Sequence, residues 1–297
     1  MTPVSHRFAR PSSRLTKVAT MALVGLMTLA GCSEKAKVET QPSPVEVSVQ
    51  SPSFFDACTT KGNKGDAKAS LGRFTVTTNV WNPDAASRFS ECVKVSYSHS
   101  TGLADGLFNW DAVSTTNQVL AYPNLAYGWR VGENQGSSTR RLPATVASLG
   151  DMVASGVIES VCAPGASCTH NTAFELLFSA TPTPTTWPPT AELMVWLQAT
   201  CGSCNAGKLQ GKVVIDGVSF DLYQGMVTPP TGTASWTYVA YVAESTVTRF
   251  NFNLKNFVTD SVKRGYLKTT DHLAVIELGT EITSGQGSTT ISGYGIR

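Results

Sequence analysis

The 297-residue sequence predicts an all-β domain, an antiparallel sandwich or jelly roll with one short helix. Three observations lead there. Short apolar or β-branched runs recur from about Phe54 to Arg297, separated by Gly, Asn, Asp and Pro clusters. One segment, Leu254–Arg264, places Leu254, Phe257, Val258 and Val262 near helical spacing. The texture stays uniform, with no internal repeat and no second domain, and all-β domains of this size fold as one unit.

Residues 1–31 stand apart from that domain. Arg7, Arg10, Arg14 and Lys17 precede an apolar run from Val18 to Leu29, which ends in Leu29-Ala30-Gly31-Cys32. A basic start, a short apolar stretch and a small-residue cleavage site read as an export signal. The run is about a dozen residues, too short for a spanning helix, which needs about 20. Its ending resembles the bacterial lipobox, in which the cysteine, here Cys32, is lipidated and becomes the mature N-terminus. The plainer alternative is a secretory signal with an incidental cysteine. Residues 33–53, rich in Ser, Pro, Glu, Val and Lys, read as a tether. The expected division is a lipoprotein signal over 1–31, anchor and tether over 32–53, and a folded domain over 54–297.

Within the domain, the runs predict strands at Arg73–Trp81, Cys92–His99, Thr115–Ala121, Met152–Ser160, Ala173–Ala180 and Glu192–Gln198. Further strands are expected at Lys212–Ile215, Val218–Gln224, Ser235–Ala243, Thr246–Asn253 and Ile291–Gly295, with a weak turn around Leu142–Leu149. Another apolar run, Ala274–Thr280, precedes Glu281.

Charge narrows the function. Removing residues 1–31 takes away four of the 23 basic residues and none of the 21 acidic ones, leaving a net charge near −2. A nearly neutral chain has no electrostatic footprint for nucleic acid and suits a neutral polymeric ligand. Apart from Cys32, six cysteines remain, an even number suited to an oxidising compartment. Short loops suggest Cys162–Cys168 and Cys201–Cys204, leaving Cys58–Cys92. The Cys201-Gly202-Ser203-Cys204 spacing also fits a redox dithiol or half a zinc site, but no second ligand pair stands at metal spacing. His99, His170 and His272 are scattered, so no metal is expected, and no cofactor.

The chemistry-bearing signal is carboxylates inside apolar strands. In Ala191-Glu192-Leu193-Met194-Val195-Trp196-Leu197, alternation puts Glu192, Met194 and Trp196 on one face and Leu193, Val195 and Leu197 on the other. The second set is ordinary core. The first is odd for a buried face, because an ionised carboxylate there costs several kcal/mol unless something pairs or uses it. Glu175 lies within Ala173-Phe174-Glu175-Leu176-Leu177-Phe178, and Glu281 ends its own run. One buried acid is usually structural. Three on strands of one chain suit acetal hydrolysis, in which one carboxylate attacks the sugar carbon and another protonates the leaving oxygen. A third acid beside the nucleophile helps push the pKa values apart.

Several segments then resemble glycoside hydrolase family 12, the compact endo-β-1,4-glucanases and xyloglucanases. Glu192–Leu197 is similar to the nucleophile strand and Gly279-Thr280-Glu281 to the acid/base segment. Phe252-Asn253-Leu254-Lys255-Asn256-Phe257, with Gly265-Tyr266-Leu267 after it, lies between them. Upstream are Asn79-Val80-Trp81-Asn82, Ala121-Tyr122-Pro123-Asn124 and Tyr127-Gly128-Trp129. The matches follow the family's order from about residue 58 to 290.

The resemblance implies a jelly roll of two curved antiparallel sheets with a substrate cleft across the concave one. It implies hydrolysis of β-1,4-glucan, of cellulose or xyloglucan type, with retention of configuration. Glu192 is then the nucleophile, Glu281 the acid and later base, and Glu175 a supporting acid where the family usually has Asp. The implied substrate-binding set is Asn79, Trp81, Trp129, Asn171, Met194 and Trp196. Asn79 and Trp81, two apart, are expected to share a strand face, while Trp110, Trp187 and Trp236 default to packing. Glu277 stands where the family often has Gln, and Ile282-Thr283 replaces a usual Pro-Phe. The remaining readings are a glycan-binding lipoprotein without turnover and an envelope or adhesin protein; a monomer is expected throughout.

Overall fold

The computed structural model describes residues 53–62, 66–201, 205–228 and 234–297. The expected signal segment, Cys32, nearly all of the tether and Cys204 lie outside the described residues. The strands, in chain order, are β1 (Phe54–Thr60), β2 (Lys68–Leu71), β3 (Phe74–Thr77), β4 (Ala86–Ser98) and β5 (Leu103–Ser114). They continue as β6 (Asn124–Gly128), β7 (Ala144–Thr145), β8 (Val153–Cys162), β9 (Thr169–Ser179) and β10 (Ala191–Ala199). After these come β11 (Lys208–Ile215), β12 (Val218–Val227), β13 (Trp236–Ala243), β14 (Arg249–Asn253), helix α1 (Leu254–Lys263) and β15 (His272–Ile296).

The two layers meet in β15, a strand of 25 residues. Its first half pairs with β9 on one side and with β6 and β7 on the other. Its second half pairs with β5 and β8. The larger layer therefore runs β2-β3-β6-β15-β9-β10-β13-β12-β11, and the smaller runs β1-β4-β5-β15-β8-β14. The expected all-β sandwich is what forms. It departs from the expectation of purely antiparallel sheets at one place, because β10 pairs with β13 in parallel, joining Glu192 to Tyr238 in register.

The core lies between the layers. Leu193, Val195 and Leu197 of β10 enter it with Phe174, Leu176 and Phe178 of β9, and Val93, Val95 and Phe108 face them. Phe174 meets Phe250 of β14 edge-on, with ring centroids 5.2 Å apart. Helix α1 matches its predicted span and buries Leu254, Phe257 and Val258. The Asn253 side chain caps it by accepting the Lys255 N–H. Asp216 and Gly217, both at positive φ, turn β11 into β12 in the manner of a two-residue hairpin.

Two strand predictions fail. Thr115–Ala121 is a loop in which Asn117 adopts positive φ, and Ala121 alone makes isolated bridges. The strand predicted over Arg73–Trp81 ends at Thr77. Strand β5 was missed although Ala104, Gly106, Phe108, Trp110 and Ala112 alternate in burial with their neighbours. Its outward positions are Asp105, Asn109 and Asp111, residues that favour turns.

Cys58–Cys92 links directly opposed positions of β1 and β4, and Cys162–Cys168 closes the connection from β8 to β9. Cys201 is also disulfide-bonded. His170 places Nδ1 3.3 Å from Cys168 Sγ, a sulfur already committed to its disulfide, and burial lowers the imidazole to about 4, leaving it neutral.

Phe174→Ala removes a fully buried ring at the centre of this core. We expect a loss of about 3–5 kcal/mol in chemical denaturation, with the folded far-UV spectrum retained.

Candidate active site

The face of the larger layer turned away from the core is built by β15, β9, β10 and β13 lying side by side. Alternation brings Glu277, Gly279 and Glu281 to that face from β15, and Ala173, Glu175 and Leu177 from β9. Strand β10 adds Glu192, Met194 and Trp196, and β13 adds Trp236, Tyr238 and Ala240. In register, Glu277 stands opposite Glu175, which stands opposite Met194. Glu192 lies on one side of that row, opposite Leu177, and Glu281 lies on the other, opposite Asn171. The four glutamates are nearly closed to solvent, with 7% of Glu175, 4% of Glu192, 2% of Glu277 and 3% of Glu281 exposed.

Each carboxylate meets different partners. Trp236 donates its indole N–H to Glu192 Oε2 at 2.8 Å. Asn171 donates from Nδ2 to Glu281 Oε2. Arg130 Nε lies 3.1 Å from Glu277 Oε1 and 3.7 Å from Glu133. Tyr122 donates its hydroxyl to the carbonyls of Ala173 and Glu277, at 3.1 and 3.3 Å.

Burial dominates the titration of these groups. It raises Glu175 well above the ordinary carboxylate range, and the charges of Glu192, Glu277 and Glu281 raise it further, against Arg130. Burial also raises Glu192, where the Trp236 hydrogen bond opposes it and Glu281 and Glu277 add to it. The two groups are close enough to titrate as a pair. A donated N–H favours the ionised form, so of the two Glu192 is the easier to ionise and Glu175 the harder. The phenol of Tyr122 is held neutral by burial and by Glu175, Glu277 and Glu281.

The other predicted site residues are placed differently. Asn79 and Trp81 do not share a strand face, since β3 has ended and Asn79 takes a φ of 45°. Alternation does not apply there. Asn79 is buried, while half-buried Trp81 leans on Tyr122 with centroids 5.8 Å apart. Trp129 donates its indole N–H to the Glu133 carbonyl, which secures the turn carrying Arg130. Met194 and Trp196 do share the face of Glu192, but both are fully buried. The Trp196 indole donates to Met194 Sδ at 3.3 Å, within a cluster that includes Trp236 and Tyr238.

Comparison with known proteins bears on this arrangement directly. The sequence profile of Glycosyl hydrolase family 12 matches residues 72–296, about three quarters of the chain. The chain belongs to that family. It is 28% identical over 219 residues to Endoglucanase S of Pectobacterium parmentieri, covering 72% of this chain and 77% of the relative. It is also 28% identical over 232 residues to a protein of Phytophthora nicotianae described as the inactive glycoside hydrolase XLP1, covering 75% and 85%. Among solved structures, a family 12 xyloglucanase from Bacillus licheniformis superposes with a TM-score of 0.69 at 22% identity, covering 81% of this chain and 99% of that one. That likeness shows the fold.

Four residues beside these carboxylates are not marked by the sequence reading as site residues. Trp236 was assigned to packing, and the parallel β10–β13 pairing that brings it to Glu192 leaves no local signature. Tyr122 stands out in the sequence only as part of the Ala121–Asn124 motif. Arg130 follows Trp129 in a turn, with nothing nearby in sequence to mark it as buried. Glu277 was noted as a departure from Gln, a signal strong enough to have found it.

The Gly-Thr-Glu segment has a steric cause. A Cβ on Gly279 would meet Pro123 O, and would lie 2.7 Å from Asn124 Cβ and 2.8 Å from Tyr122 Cε2. Gly279→Ala therefore pushes the Tyr122–Asn124 segment off β15. We expect about 1–3 kcal/mol of destabilisation by thermal unfolding.

Proposed function

We propose that this chain is an endo-acting hydrolase of β-1,4-glucan, of cellulose or xyloglucan type, working with retention of configuration by double displacement. Glu192 attacks the anomeric carbon while Glu281 protonates the departing glycosidic oxygen. Glu281 then takes a proton from water, which attacks the same carbon and releases Glu192. Glu175 stays protonated, so that Glu192 carries the charge. The observation that carries this reading is the set of carboxylates on one dry sheet face, with a single indole N–H donated to Glu192.

Asn171 assists by donating to Glu281. Trp81 and Trp129, both half-buried, form the rim that meets the glucan, with Asn79 buried two residues from Trp81, and Met194 and Trp196 support the floor beneath it. The folded domain spans 54–297, is exported, and acts as a monomer without cofactor or nucleic acid. The disulfides suit an oxidising compartment. Cys32 and residues 32–53 then tie the domain to a membrane by lipid.

A second reading, glycan binding without turnover, gains relevance from the relative described as inactive. Reducing-sugar release from carboxymethylcellulose and xyloglucan separates the two. We expect release by the native protein, and Glu192→Gln to lower kcat by about 10³-fold or more with folding intact. No release by the native protein would favour the binding reading.

Trp236→Phe removes the donor that stabilises ionised Glu192. The pKa of the Glu175–Glu192 pair then rises. Activity requires the ionised form, so the acid limb of kcat/KM moves to higher pH, by about one unit. A pH–rate profile on a soluble glucan measures it.

A further inference from the structure

We infer that Arg130 and Glu277 form a charge-setting pair for Glu175 and Glu192, a positioning role for hydrolysis that involves no contact with the sugar. The inference rests on Glu192 being the nucleophile. Arg130 is the one buried Lys or Arg among the described residues, with 4% exposed. It meets Glu277 at 3.1 Å, and Glu277 stands directly across the β15–β9 ladder from Glu175.

A buried ion pair is a poor device for stability alone, because desolvating both charges offsets most of their attraction. Its value here is electrostatic. With Glu277 ionised and Arg130 opposite, the pair is neutral overall. The face then has room for one further negative charge, on Glu192, with Glu281 protonated, which is the ionisation that double displacement requires. Without Arg130, the charge of Glu277 acts unopposed on Glu175 and Glu192, and both hold their protons more tightly.

The groups facing this pair are few. Arg130 is within the field of Glu277, Glu133, Asp66 and Glu175. Glu175 is within that of Glu192, Glu277, Glu281 and Arg130. The neutral Tyr122 hydroxyl donates to the Glu277 carbonyl. No other cation is buried among the described residues to take over from Arg130.

The test is a mutant cycle read by the acid limb of kcat/KM. Arg130→Gln should move that limb to higher pH by about one unit, because Glu277 is left as an uncompensated charge. Glu277→Gln should move it to lower pH by a smaller amount, since the charge of Glu277 that raises Glu192 is removed. The double variant should return to within about 0.3 unit of the native limb. It leaves neither charge alone, so it serves as the reference even where a single variant fails to fold. Arg130→Lys keeps the charge and should leave the limb unmoved.

A limb unchanged in both folded single variants would overturn the inference. So would a double variant shifted as far as Arg130→Gln, or Arg130→Lys shifting like Arg130→Gln. Near-normal hydrolysis by Glu192→Gln would overturn the nucleophile assignment and this inference with it. An inactive Glu192→Gln beside unmoved limbs overturns this inference alone.

Discussion

A dry protein face cannot carry four adjacent negative charges. Each carboxylate taken out of water costs several kcal/mol, and every ionised neighbour adds repulsion. Glu175, Glu192, Glu277 and Glu281 nevertheless share one face of one sheet. The site is best understood as a division of that problem. Arg130 answers the charge of Glu277, Trp236 donates to Glu192, Asn171 donates to Glu281, and Glu175 is pushed towards its neutral form.

The fold supplies the rigidity this division needs. Neighbouring strands lie about 5 Å apart, so side chains on β15, β9 and β10 are held by ladders on both sides. Strand β15 runs through both layers and cannot slide without disturbing β5 and β8 in the smaller one. Glu277 and Glu281 are therefore set by pairing that extends well beyond the site. Gly279 between them lets the Tyr122–Asn124 segment lie flat on the strand, and Tyr122 ties β9 and β15 together through their carbonyls.

Much of this was legible in the sequence where period alone decides. The alternation of Glu192, Met194 and Trp196 with Leu193, Val195 and Leu197 survives intact, because both faces of β10 are covered and a one-residue slip would exchange them. Helix α1 was legible for a similar reason, its apolar stripe having one place to go. What stayed hidden depends on partners distant in sequence. Trp236 reaches Glu192 only through a parallel pairing across 44 residues. Strand β5 was obscured by Asp and Asn on its solvent side. The alternation argument for Asn79 and Trp81 broke on one backbone angle, since a positive φ ends the two-residue period.

The two departures from the family pattern on this face turn out to be neighbours. The resemblance read from the sequence implies Asp at 175 and Gln at 277, and the glutamates that stand there are cross-strand partners. A longer side chain at 175 carries its carboxyl further from its own strand. A charge at 277 raises the cost of ionising anything opposite. The charge at 277 makes the face harder to charge, since it raises both Glu175 and Glu192. Arg130 relieves that burden at its source, because it sits against Glu277 and leaves Glu192 free to accept from Trp236. With Glu192 as the proposed nucleophile, the guanidinium answers at its source the charge that a glutamate at 277 adds to this face.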